Sequence, residues 1–254
     1  TATTGSNVIT TGTAADIIDG GTGADTIIAG DGDDTITGGA GDDTMTGGAD
    51  DDTFIIAAGV DHASGETITG GAGDDTIIFT STSTDTLTLD ATTADEDNMI
   101  FAKISDAAGV ATGTSNGSID ASALAGNLAV TLTGNAGNNT LTGTAFADTI
   151  TGGAGNDTIA VAATTEGNSD VMTGGTGDDT LELTGISHTF ANDDNLATIE
   201  NITLQTDATT LTLTGQTEDF TITTADGNNT VITGSGNDTI TGGAGNDAII
   251  NTAG

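Results

Sequence analysis

The sequence predicts an all-β chain wound as a parallel β-solenoid, and three observations carry that expectation. From Thr11 to Ile55 a pattern repeats every nine residues, five times in register. In each unit an aspartate (Asp16, Asp25, Asp34, Asp43 or Asp52) stands two residues before a large apolar side chain (Ile18, Ile27, Ile36, Met45 or Phe54). The turns between are glycine-rich, as in Gly20-Gly21-Thr22-Gly23-Ala24-Asp25. Three residues such as Thr35-Ile36-Thr37 make a minimal strand whose middle side chain points inward and whose neighbours point outward. Two units close one coil of 18 residues, and turns two repeats apart stack at the strand spacing of roughly 4.8 Å. At that pitch the chain would wind roughly 14 coils.

Each segment is placed by the same phase. Residues 1–10 form a lead-in strand around Val8 and Ile9. After the first run a five-residue insertion, Ile56 to Val60, shifts the phase before units carrying Glu66 and Asp75, so that Asp75 should stack on Asp52. From Phe79 to Ser115 the glycine turns fade, and Met99-Ile100-Phe101 with Lys103-Ile104 suggests an irregular stretch, although Thr86-Leu87-Thr88-Leu89 alternates as a half-buried strand does. The phase returns at Asn116 and passes through Asn139, Asp148 and Asp157. A four-residue insertion, Val161 to Thr164, precedes units with Asp170 and Asp179. Leu204, Leu213, Ile222, Val231, Ile240 and Ile249 are again nine apart, which puts Ile202, Leu211 and Phe220 in the aspartate phase before Asn229, Asp238 and Asp247. The expected segments are a first roll (1–78), an irregular stretch (79–115), a second solenoid (116–182), a C-terminal solenoid (183–250) and a tail (251–254).

The turns read as GGxGxDxUx, U being a large apolar residue, with six strict matches beginning at Gly20, Gly38, Gly70, Gly152, Gly174 and Gly242. Random placement gives roughly 0.02 such matches in a chain this long. Glycine permits positive φ and close backbone approach, so turn carbonyls can point at an ion. Calcium takes six to eight oxygens, from carboxylates and carbonyls alike. Stacked aspartates about 5 Å apart repel one another without a cation. The motif resembles the calcium-binding nonapeptide of the RTX (repeats in toxin) family, and the resemblance covers about two thirds of the chain. It implies a right-handed parallel β-roll or β-helix with several Ca2+ ions held between stacked turns, and calcium-free stretches elsewhere. The metal positions it implies are Asp16, Asp25, Asp34, Asp43, Asp52, Asp75, Asp148, Asp157, Asp170, Asp179, Asp238 and Asp247, paired as Asp16 with Asp34, Asp25 with Asp43, and Asp34 with Asp52. The positions of Asn139, Asn229 and Glu66 stay open.

Composition narrows the function. One basic residue against 38 acidic gives a net charge of -37, with no Cys, Trp, Tyr or Pro. Such a surface suits neither nucleic acid nor anionic membrane, and no disulfide framework exists. No run of 18 apolar residues marks a transmembrane segment, and no signal peptide is evident. Self-repulsion disfavours the folded chain without metal, so calcium binding becomes folding free energy. His62, His188 and Lys103 are far apart in sequence and read as surface or loop residues, and Asp95-Glu96-Asp97 as a solvated loop, so no enzyme is expected.

Two local stretches, Asn116 to Gly134 and Ile199-Glu200-Asn201-Ile202-Thr203-Leu204, are similar to RTX-type bacterial surface-layer proteins. That resemblance implies a secreted cell-surface protein, exported by type I secretion, that folds on calcium and self-assembles into a layer, sheath or filament. Its partners would be further copies, through solenoid ends and calcium-bridged acidic surfaces, and lipopolysaccharide through a part not recognisable here. The alternative is a spacer or binding module of a larger adhesin, toxin or protease. Outward Thr-x-Thr pairs make ice binding a lesser reading, and polysaccharide modification is another.

Overall fold

A computed structural model describes residues 3–57, 66–80, 84–89, 99–105, 113–124, 129–162 and 170–251. Its strands form parallel ladders throughout. A ten-stranded sheet runs along one side, from Thr3–Thr4 through Thr35–Ala40, Asp75–Thr80 and Thr149–Ala154 to Leu196–Ala197. Facing it are a four-stranded sheet from Val8–Thr10 to Thr67–Ala72 and then an eight-stranded sheet from Thr86–Thr88 to Thr239–Thr241. A further four-stranded sheet runs from Ser187–Thr189 to Ala248–Asn251. The chain is thus a β-solenoid, and the one helical element among the described residues is the 3-10 turn Asp193–Asn195.

The core is a single file of inward side chains between the sheets. Ile27, Ile36, Met45, Phe54, Ile68 and Ile77 are buried, as are Leu132, Leu141, Ile150 and Ile159 further along. Each coil contributes only about two to four such residues, so it is held mainly by its neighbours.

The register shows where the nine-residue phase holds. Ile18 lies opposite Ile36, 18 residues on. Phe54 lies opposite Ile77, so the first insertion lengthens one coil without breaking the ladder. Ile150 lies opposite Met172, absorbing the four-residue insertion. The stretch expected to be irregular keeps solenoid strands at Thr86–Thr88 and Met99–Ile104, the latter with a register shift between Met99 and Phe101. Leu87 pairs with Ile119, 32 residues on, and Ala102 with Leu132, 30 residues on, and coils of that length leave fewer than the 14 expected.

Two expectations are corrected in the last third. Ile202 pairs with Leu181 and Ile222, and Leu211 with His188 and Val231, so both are mid-strand core residues and not turn positions. The coil from Ile202 to Ile222 takes 20 residues, and its extra two fall in the turn between Leu213 and Phe220. His188 is not a surface residue: it is buried in the strand Ser187–Thr189, its Nε2 3.2 Å from the Thr184 carbonyl oxygen, and burial pulls its pKa down. Lys103 is a half-buried residue of Met99–Ile104. His62 and Asp95-Glu96-Asp97 lie outside the described residues.

The stacking leaves no room for side chains on the turn glycines. Gly39 has φ +101°, and a Cβ there would fall on the carbonyl oxygen of Gly21, one coil earlier. At Gly12 a Cβ would meet nothing within 4 Å. Gly39→Ala should therefore destabilise the folded chain by about 1–3 kcal/mol through backbone strain alone, with Gly12→Ala close to neutral. Thermal unfolding in calcium checks this, and equal effects of the two variants would contradict the stacking.

Candidate metal centre

The aspartates stack in columns along the edges of the roll, joined by a ladder of hydrogen bonds. The backbone N–H of Asp16 donates to Asp34 Oδ1 at 2.7 Å, that of Asp34 to Asp52 Oδ1 at 2.9 Å, and that of Asp52 to Asp75 Oδ1 at 2.9 Å. On the opposite edge Asn7 N–H donates to Asp25 Oδ1 and Asp25 N–H to Asp43 Oδ1, both at 2.7 Å. Glu66 continues this column, buried above Asp43. In the second solenoid Asn139 N–H donates to Asp157 Oδ1 and Asp157 N–H to Asp179 Oδ1, again at 2.7 Å. The other edge runs from Val130 N–H to Asp148 Oδ1 and from Asp148 N–H to Asp170 Oδ1, both at 2.9 Å. Near the C-terminus Phe220 N–H donates to Asp238 Oδ1 and Asn229 N–H to Asp247 Oδ1. Phe220 does occupy an aspartate place.

One carboxylate oxygen of each rung is thus engaged, and the second decides the chemistry. The Oδ2 atoms of Asp25, Asp34, Asp43, Asp52, Asp157 and Asp179 are buried without a hydrogen-bond partner. A buried, unpaired carboxylate oxygen is strongly unfavourable unless a cation meets it. The first glycine of the motif keeps that oxygen's space open: a Cβ on Gly20, Gly38, Gly47, Gly152 or Gly174 would collide with the Oδ2 of the aspartate five residues on. The carbonyls of Gly21 and Gly23 point along the axis into space that a Cβ of Gly39 or Gly41 would fill. No group of three or more His, Cys, Asp or Glu side chains converges among the described residues. The donor set is therefore one or two carboxylates with backbone carbonyls, which suits a hard cation of high coordination number such as Ca2+. When bound, calcium supplies the charge that lets these carboxylates remain buried and stacked.

Other positions differ. Asp148 has both oxygens engaged, Oδ2 by Thr144 N–H at 2.7 Å and Oδ1 by the Thr144 hydroxyl at 2.9 Å. Asp16, Asp238 and Asp247 are only half-buried, and Asp170 and Asp75 are buried in the columns described. Sequence reasoning missed Glu200, whose Oε2 accepts Asp179 N–H at 2.8 Å and so extends the column. The signal was there, because Glu200 stands two residues before the inward Ile202.

Burial raises the pKa of Asp52, Asp157 and Asp170 to about 6, against the N–H bonds they accept and reinforced by neighbouring carboxylates. Burial likewise raises Asp43, Asp148 and Asp179.

The family model described as RTX calcium-binding nonapeptide repeat (4 copies) matches residues 1–36, 19–54, 28–62, 63–79, 133–163, 164–183 and 223–254, together more than half the chain. No curated protein and no solved structure matches.

Two outcomes follow from the columns. Without calcium, the folded chain holds protons between about pH 4 and 6 that the unfolded chain has released, so its stability falls as pH rises through that window. His188 acts in the opposite sense below its ordinary value of 6.5, but it is one group against several. Metal-free chain should resist urea better at pH 5 than at pH 7, while the calcium midpoint moves to higher concentration at pH 5. A metal-free chain more stable at pH 7 would refute the buried columns. Separately, Asp34 lies between Asp16 and Asp52 within one column, whereas Asp238 is half-buried near the last coil. Asp34→Ala should raise the calcium midpoint and flatten the transition more than Asp238→Ala, and equal midpoints would count against the pairing.

Proposed function

The chain belongs to the RTX calcium-binding nonapeptide repeat family, and from that premise we propose that it is a secreted structural protein that folds on calcium outside the cell and assembles with further copies into a surface layer, sheath or filament. The observation that carries the reading is the file of buried aspartates with orphan oxygens in a chain of net charge -37. At low calcium that charge keeps the coils with orphan carboxylate oxygens expanded. Extracellular calcium modules work near 10⁻⁴ to 10⁻³ M, so the transition belongs outside the cell. Asp25, Asp34, Asp43, Asp52, Asp157 and Asp179 are the positions we assign to calcium first, with Asp16, Asp75, Asp170, Asp238 and Asp247 completing the columns. Asp148, closed by Thr144, is the least suited of the expected ligands.

Self-association is supported by two surfaces. A second, exposed acidic column lies outside the first, with Asp51 N–H donating to Asp33 Oδ1 at 3.3 Å and Asp74 N–H to Asp51 Oδ1 at 2.8 Å. Calcium between two such columns would bridge copies laterally. The strands Val8–Thr10 and Ala248–Asn251 are sheet edges with exposed Val8, Ile249 and Ile250. An open edge of parallel strands pairs with whatever continues the stack. A second copy there gives a polymer, and a further stretch of the same protein gives the module of a larger adhesin, toxin or protease.

Catalysis finds little support in these features. The buried His188 is not offered to a substrate, and the one Lys lies on a sheet. Outward residues of the eight-stranded sheet do align, Thr140 on Thr158 on Thr180 and Thr221 on Thr239, yet Asp120, Ala160 and Glu182 break the companion rank. That irregularity disfavours an ice-like template. No helix among the described residues is long and apolar enough to cross a membrane.

A calcium titration followed by circular dichroism and sedimentation together tests the proposal. Strand signal and large assemblies should appear together and reverse with chelator. Folding to a stable monomer would overturn the assembly reading in favour of a module.

A further inference from the structure

Asparagine takes the aspartate place at two buried turns, and in both the side chain leaves no oxygen without a hydrogen-bond partner. In Asn229, 1 % exposed, Oδ1 accepts the ladder N–H of Thr209 at 2.9 Å. Its Nδ2 takes the remaining branch, the counterpart of the orphan oxygen, and donates to the carbonyls of Ala225 at 2.7 Å and Asp226 at 3.4 Å in its own turn and to Asp247 Oδ1 at 3.3 Å in the next coil. In Asn139, 2 % exposed, Oδ1 accepts the N–H of Asn135 at 2.7 Å. Its Nδ2 donates to the carbonyls of Ser115 at 3.1 Å and Gly117 at 2.9 Å, one coil earlier.

Aspartate and asparagine are nearly the same shape, and they differ in one group. Where Asp25 or Asp157 places an oxygen that needs a cation, Asn229 places an NH₂ that donates to carbonyl oxygens. Asn139 instead keeps its Oδ1 in that branch, beside Gly134 and met by Asn135 N–H, and turns its NH₂ to the coil earlier. A neutral donor removes both the unpaired charge and the unpaired acceptor, which are the two reasons a metal is needed. Asn135 N–H supports this orientation at Asn139, since only an oxygen can accept it.

We propose that Asn229, whose NH₂ stands where a calcium turn leaves its unpaired oxygen, and Asn139, whose oxygen in that branch is met by Asn135 N–H while its NH₂ ties to the coil earlier, close their turns without a calcium ion. With the Thr144-closed Asp148 turn and the Phe220 corner, they make two stretches, around residues 129–148 and 209–233, that hold their shape when calcium is absent. The calcium-requiring turns of Asp25 to Asp52 and of Asp157 to Asp179 border or lie apart from them. The metal-free stretches then act as templates on which the neighbouring calcium coils are laid down.

The test uses the full chain with the variants Asn229→Asp, Asn139→Asp and Asp157→Asn, read by counting bound calcium in native mass spectrometry and by hydrogen exchange in chelator and in calcium. In chelator, wild-type amides of Thr140–Thr142 and Thr230–Thr233 should be protected while those of Thr35–Ala40 exchange freely. Asn229→Asp should lose protection at Thr230–Thr233 in chelator, regain it in calcium and bind one more ion, and Asn139→Asp should do the same at Thr140–Thr142. Asp157→Asn should bind one ion fewer and gain protection at Thr158–Ala162 in chelator. Wild-type turns unprotected in chelator, or aspartate variants with an unchanged ion count, would overturn the proposal. If both aspartate variants fail to fold in calcium, Asp157→Asn decides: an ion count equal to wild type refutes the substitution. None of these readouts depends on whether the chain polymerises.

Discussion

Everything in this fold depends on how a carboxylate is kept inside a turn. The solenoid needs a small, repeated corner at which one coil is tied to the next, and aspartate supplies it by accepting the backbone N–H of the aspartate place one coil earlier, as Asp34 does from Asp16 and Asp157 from Asn139. That bond uses one oxygen and buries the other. The remaining charge is tolerable only with a counter-charge, and a chain with one Lys and no Arg cannot furnish it from its own side chains. The requirement for metal therefore follows from the corner itself, and the family match names what the corner already demands.

A second constraint decides which corners take that form. The inward place at the end of each strand sits against the carboxylate five residues on, so it must be small where an aspartate follows. Gly20, Gly38, Gly47, Gly152 and Gly174 meet that condition, with Ala29 before the buried Asp34 and Thr11 before the half-buried Asp16 the departures in the first roll. Leu204 and Leu213 fill the same inward place in the later coils, and the aspartate places beyond them hold Thr209 and Phe220. Core volume and metal site thus compete for one position. The solenoid can exchange an ion for an apolar side chain without losing its stack, because the backbone ladder is common to both.

Much of this was legible in the sequence, for reasons that can be assigned to residues. A nine-residue spacing cannot be kept by loops, so the inward file from Ile18 to Phe54 and the carry of Asp75 onto Asp52 across an insertion were readable. The slip in the last third was not. Ile202-Thr203-Leu204 and Leu211-Thr212-Leu213 each offer two inward residues two positions apart, and strand alternation alone does not choose between them. Counting from Leu204 gave an unbroken period and hid both Glu200 and the two extra residues before Phe220. The closure of Asp148 by Thr144 was hidden for another reason: a hydroxyl four residues upstream lies outside the repeat, and only the folded turn brings it onto the carboxylate.

The charge that makes the metal necessary also shapes the state without it. In a stack where each coil is held by its neighbours, losing one tie weakens two coils, so ions bound along a column reinforce one another through the ladder. The exposed column of Asp33, Asp51 and Asp74 adds repulsion that no buried ion relieves. It opposes compaction of the calcium-requiring coils of the first roll until calcium is abundant enough to screen surface carboxylates as well. Buried and exposed columns on the same turns therefore differ in their demand for calcium, and the buried one is filled first, since its oxygens have no hydrogen-bond partner while exposed carboxylates keep water.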